Sequence, residues 1–422
     1  MRQRGKCLYH RIDRSKMKWI YRAILIFAIP FFLPEKSFAL QYELLINSSA
    51  PTMGTIRLIF EDALHTETRL ISRQLKESNI KNPICSTSGK TLPPADGGGW
   101  IVPAGCSESI WGIQFIEVDR PNHDVSAQEN LYYPGKWWLF SEWGNLLRLA
   151  SNTAESEICT KDRATCRRVP SFKEAPLLML VGEPSKQVTS GETSFNFFSG
   201  HLPEAFDIKN LYGSYEQQLS YLQKVITPVT PSAPPQTVEV LVLGIDASLG
   251  VIGGAAGKDA YLANIAVSER GVISSDRIKY LWVAGHEMAH MLGLGTEALW
   301  ASESLAHYYG FKSLGEDKLA SQIFKQMVGE MSQIGLLKAH RLVAQGEGQH
   351  YEQFYVKGAA FWKDLDEAII GVTRSQKSLD DYLSLLINGR FGTNGELPSE
   401  FLEAMVDVIG QEKVNRLLLV YL

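Results

Sequence analysis

The stretch from His286 to His290, read H-E-M-A-H, constrains this chain more than any other. On a helix, positions i and i+4 share a face, so the two imidazoles can point at one metal ion. Glu287 lies about 100° further round the helix. Its carboxylate therefore misses the ion and can reach a water beside it. Two neutral nitrogen ligands and a carboxylate base are what a zinc hydrolase requires. The flanks suit a helix: Tyr280, Leu281, Val283 and Ala284 precede the motif, and Met288, Ala289, Met291 and Leu292 run through and beyond it. Gly293 and Gly295 can end it.

Such a site needs a third protein ligand and an open fourth position. The acidic candidates after His290 are Glu297 and Glu303. The stretch 296–310 reads as a helix with Glu303 near its middle. Glu297 would sit in its first turn, where an acid favours the helix dipole and so has a structural explanation. A longer motif with a third histidine needs that ligand at position 296, which is Thr296.

Charge is unevenly spread. Residues 1–39 hold nine Lys/Arg and two acidic residues, whereas the remainder carries a balance of −11. An acidic main body excludes the usual nucleic-acid binders. Basic residues up to Arg22, an apolar run over 23–33, and small residues at Ser37 and Ala39 read as an export signal over 1–39, cleaved after Ala39. The apolar run is eleven residues with Pro30 inside it, too short to serve as a membrane anchor. Met17 offers a second translation start. The expected location is therefore periplasmic or secreted. Four cysteines follow the signal, and an even number in an exported chain points to disulfides. Three pairings are possible; the sequence-local one, Cys85–Cys106 with Cys159–Cys166, is favoured. No C-x-x-C pair speaks for metal binding by these four.

From Gln41 to about Val181 short alternating runs broken by Gly, Pro and Asn predict a β-rich domain, assigned to 40–181. Residues 67–78 fit either a strand or a short helix. Trp100, Trp111, Trp137, Trp138 and Trp143 fall in this part and read as sandwich core and rim rather than a sugar-binding surface. The periodicity changes at 182, where a second domain, 182–422, begins. It holds an amphipathic helix over 214–226, a Pro-rich loop over 227–236, and a buried strand over 238–246. A Gly-rich segment follows at 250–267; it lacks a phosphate-loop pattern because Asp259 follows Lys258. From 277 onward the pattern is helical: 277–292, 297–309, 316–345, 351–370, 378–388, 398–408 and 411–421. The fold class is α+β.

HEMAH, then LWASESLAHYYG, then YVKGAAFW over 355–362, resemble the gluzincin metallopeptidases, most of all the glycyl aminopeptidase family and more distantly aminopeptidase N. The resemblance implies a β-rich N-terminal sandwich followed by a thermolysin-like, mostly helical zincin domain. It implies His286, His290 and Glu303 as ligands of one zinc ion per chain, Glu287 as general base, and Tyr355 as the oxyanion donor. Three departures stand out. Twelve residues separate His290 from Glu303, fewer than is usual in these families. Ser304 replaces a glycine. The strand that carries a Glu for the substrate's free amine reads GGAAGKDA, leaving Gly253, Gly254 and Asp259 as candidate substrate residues.

The expected function is that of an exported zinc metallopeptidase, aminopeptidase in type, acting on a peptide or protein. An endopeptidase on the same scaffold and a non-catalytic peptide-binding module are the alternatives. Lys357 is expected to cap or pair structurally. His307, His340 and His350 are expected at the surface or core edge rather than on the metal.

Overall fold

The computed structural model describes residues 40–60, 63–74, 80–118, 129–150, 155–191, 193–203, 206–230, 236–249, 253–268, 271–329 and 333–422. The export segment lies outside them.

Up to Gly200 the regular elements among the described residues are all strands, as the alternation predicts. Met53–Phe60 shows why: Gly54, Ile56, Leu58 and Phe60 are buried, while the residues between them are not. It pairs with Leu40–Ile46 and Glu108–Gln114 inside a seven-stranded sheet. A four-stranded sheet around Trp137–Ser141 and a three-stranded one around Thr68–Ile71 share a core with it, in which Ile56, Leu58, Leu70, Val102, Phe140 and Met179 meet. Of the ambiguous stretch 67–78, Thr68–Ile71 is a strand, and 75–78 lie outside the described residues. Trp111 and Trp137 are buried, and Trp100, Trp138 and Trp143 half-buried, which is the core-and-rim reading. Both sequence-local disulfides are formed, Cys85–Cys106 and Cys159–Cys166.

The next sheet has five strands, in the order Lys186–Ser190, Thr193–Gly200, Thr237–Asp246, Ala260–Val267, Gly254–Ala256. Its first hairpin, 186–200, was not expected from the sequence. The central strands run parallel, and Val238–Ile245 are all buried because both faces are covered. Glu239 in this sheet accepts Arg167 and the Leu180 N–H (2.8 Å) from the first β-rich part, so the two are latched by a buried carboxylate.

Among the described residues there are nine α-helices: α1 Ile208–Ile226, α2 Ser274–Met291, α3 Leu299–Lys312, α4 Lys318–Gly329, α5 Leu336–Ala344, α6 Glu352–Thr373, α7 Leu383–Ile387, α8 Ser399–Ile409 and α9 Gln411–Tyr421. The helix expected over 316–345 is two helices, α4 and α5. Gly335 is held against the chain's end, where a Cβ would lie 2.4 Å from the Leu422 carbonyl oxygen. Lys357 Nζ donates to the Ile334 carbonyl at 2.9 Å, the structural pairing expected of it.

Candidate active site

The site is made where α2, α3 and α6 cross at glycines. At the α2–α3 crossing, a Cβ on Gly310 would lie 2.7 Å from both the His286 amide nitrogen and the Trp282 carbonyl oxygen. Backbone meets backbone there, so helix axes approach more closely than larger side chains allow. Gln218 of α1 secures the crossing by donating to the Leu281 carbonyl (3.0 Å) and Ser313 Oγ (2.8 Å). On the other side of α3, a Cβ on Gly358 of α6 would lie 2.3 Å from Ser304 Cβ. Ser304 can stand in for a glycine because its partner is Gly358, and its hydroxyl accepts the Trp362 indole N–H at 2.7 Å.

These crossings carry Glu303 to the two histidines despite the short connection. Nε2 of His286 lies 3.6 Å from one Glu303 oxygen, and Nε2 of His290 lies 3.7 Å from the other. The three donors lie within 4.8 Å of one another. Donors held about 2.0–2.2 Å from one tetrahedral zinc are about 3.4 Å apart, so the set fits that ion in type and spacing. His290 Nδ1 donates to the Leu294 carbonyl at 3.0 Å, leaving Nε2 as the free lone pair. Burial, then the neighbouring His290 and His307, holds the His286 imidazole well below its usual pKa, so it is neutral, the form that could hold a metal ion. The other metal-type cluster among the described residues, Glu157 with Cys159 and Cys166, is spent in a disulfide.

Glu287 is buried beside these three donors. Burial, reinforced by the Glu303 charge, pushes its carboxyl up to about 8. Tyr355 of α6 stands across from it, its ring 5.6 Å from that of His286. Burial and the Glu303 carboxylate push its hydroxyl far above the ordinary phenol range, so it stays a donor. A cavity of about 340 Å³ opens off this group, walled by Trp282, Val283, Met327 and Val356, with Gly253 and Gly254 on one side and Lys279 and Glu352 also on its wall. A Cβ on Gly254 would sit 2.9 Å from the Glu287 carboxylate, so glycine there leaves the base room.

Two expectations change. Asp259 is not on the cavity wall. It sits in the turn beyond Gly254–Ala256, where the neighbouring Lys258 amide donates to Pro176 at 2.8 Å, and its surroundings are Lys258, Arg167 and Arg168. The strand runs from Gly254 away from the site into that turn, so the glycines reach the cavity and the acid does not. Glu297 precedes α3 instead of lying in its first turn, and accepts the Phe391 N–H at 3.3 Å. His307 is a core-edge residue, half-buried on the cavity wall; it stacks on Trp282 at 4.8 Å, and burial lowers its imidazole to about 3. Its place one turn after Glu303 was legible, but nothing in the sequence said which way that turn faced. His340 and His350 do not line this cavity, and the latter lies beside Glu347.

No protein-family model and no curated protein matches the sequence. Among solved structures the chain is similar to an aminopeptidase N family protein from Idiomarina loihiensis, at 13% identity and a TM-score of 0.62, covering 83% of this chain and 70% of that one. It is also similar to an M1 zinc metallopeptidase variant from Deinococcus radiodurans bound to a Tyr-Ser-Ala substrate, at 13% identity and a TM-score of 0.46, covering 90% and 93% of the two chains. On the first of these superpositions, the chain shares the fold of that aminopeptidase N family protein.

Proposed function

We propose that this protein is an exported zinc metallopeptidase of aminopeptidase type, with residues 182–422 as the catalytic domain, 40–181 as its β-rich partner and 1–39 as the export signal. The observation that carries the reading is the convergence of His286, His290 and Glu303 on one point, with the buried Glu287 beside them. Zinc held by those three would supply Lewis acidity and lower the pKa of a water.

The chain's own groups do the rest. Glu287 takes the proton of the attacking water and passes it to the leaving amine. Tyr355 donates its hydroxyl to the carbonyl oxygen as negative charge develops there. Gly254–Ala256 is the edge of its sheet, and an extended peptide can lie along it with Gly253 and Gly254 giving close approach. The cavity beside Val283 and Val356 suits an apolar side chain of the substrate. Two disulfides support an oxidising destination. No described helix is long and apolar enough to cross a membrane.

An endopeptidase is the second reading. It is favoured by the placement of Asp259 off the cavity wall, which leaves the glycine strand without an acid for a free amine. The test is zinc content together with hydrolysis of matched free and acetylated peptides. One zinc per chain and cleavage of only the free set is the expected result. Equal cleavage of both sets overturns the aminopeptidase half, and a zinc-free, inactive protein overturns the whole.

A further inference from the structure

His307 is the imidazole on the cavity wall to which the proposed reaction gives no task. It lies one turn after Glu303 on α3. Its ring stacks on Trp282, and the Trp282 indole N–H donates to the His307 carbonyl at 2.8 Å, so ring and backbone are both held against α2. From there it faces His286 edge-on, ring centres 5.6 Å apart at 69°, and Tyr355, 5.2 Å away.

Two buried side-chain nitrogens on these neighbouring rings have no hydrogen-bond partner: His286 Nδ1 and His307 Nε2. The pairing is chemically specific. With Nε2 turned toward Glu303 as a ligand atom, His286 carries its proton on Nδ1 and needs an acceptor. Metal-binding histidines almost always donate that second N–H to something. His290 has the Leu294 carbonyl; His286 has no such bond. In its Nδ1–H tautomer His307 offers Nε2 as an acceptor. Two imidazoles joined by an N–H···N bond of about 2.9–3.0 Å have centres about 5.2 Å apart; these two stand 5.6 Å apart, so the bond forms when the rings turn Nδ1 and Nε2 toward each other and close that gap.

We propose that His307 is a positioning residue for the metal site: its Nε2 accepts the His286 Nδ1 proton and so fixes the tautomer and tilt of that ligand. The inference rests on the zinc reading above. It is tested by zinc affinity, measured by competition with a chromophoric chelator, for the native chain, His307→Phe and His307→Gln. Phe keeps the stack on Trp282 and removes the acceptor, and Gln restores an acceptor near the Nε2 position. Removing such a partner typically weakens metal binding about 10–100-fold. The expected result is that loss for Phe and recovery to within a few-fold for Gln. Native affinity in the Phe variant, with native zinc uptake intact, overturns this inference alone. A native protein that takes up no zinc overturns the metal reading, and this one with it. Should the Phe variant fold poorly, proton NMR of the zinc-loaded native protein decides. A slowly exchanging, low-field imidazole N–H assigned to His286 Nδ1 and close to His307 supports the bond, and a freely exchanging one refutes it.

Discussion

Replacing Gly310 by Ala adds a single methyl group at the tightest point of the α2–α3 crossing. Its Cβ would sit 2.7 Å from the His286 amide nitrogen and the Trp282 carbonyl oxygen, and 3.2 Å from the Gly285 carbonyl carbon. All three are backbone atoms of one helix, so no rotamer change relieves the clash. Ordinary contact requires roughly 0.7 Å more room, which the helices must supply by parting. Overpacking of this kind costs about 1–3 kcal/mol, and the better helix propensity of Ala returns about 0.5–1 kcal/mol. The net loss is then about 1–2 kcal/mol in a urea titration of the metal-free protein. The same parting separates Glu303 on α3 from His286 on α2. Metal sites tolerate about 0.2 Å, so zinc affinity should fall at least about tenfold. Gly371→Ala on α6 is the control: nothing lies within 4 Å of the added Cβ, and stability should rise by about 0.4–1 kcal/mol. Native stability and native zinc affinity in Gly310→Ala would refute the argument that this backbone contact sets the ligand spacing.

Three further outcomes follow from the site. Tyr355→Phe should lower kcat about 10²–10³-fold with zinc content and KM little changed, since one donor to the developing oxyanion is lost; Tyr351→Phe, whose ring packs 5.6 Å from that of Tyr355, is the comparison, and a larger loss there would move the role one turn earlier. Glu303→Ala should empty the metal site by elemental analysis, whereas Glu297→Ala should keep the zinc and loosen only the segment at Phe391. Asp259→Ala should leave KM for free peptides unchanged, because Asp259 does not line the cavity; a selective rise in KM for free over acetylated peptides would return it to substrate binding.

H-E-x-x-H was legible in the sequence because its chemistry is local: spacing on one helix fixes both imidazoles and the base, whatever surrounds them. Alternation along Met53–Phe60 and the all-buried run Val238–Ile245 likewise declared strands, since each pattern reflects how many faces of the strand are covered. The hairpin over 186–200 did not declare itself. Thr193–Gly200 mixes polar and aromatic residues, and its place beside Thr237–Asp246 is a pairing between distant parts of the chain.

What only the tertiary structure decided was which turn of one helix faces which turn of another. Glu303 over Glu297, Ser304 against Gly358, and His307 against His286 depend on crossings made by Gly285, Gly310 and Gly358. A sequence states the period of a helix but not its rotation about its own axis. That rotation is set by close backbone contact with segments 25 to 55 residues away, and the metal site is read from it.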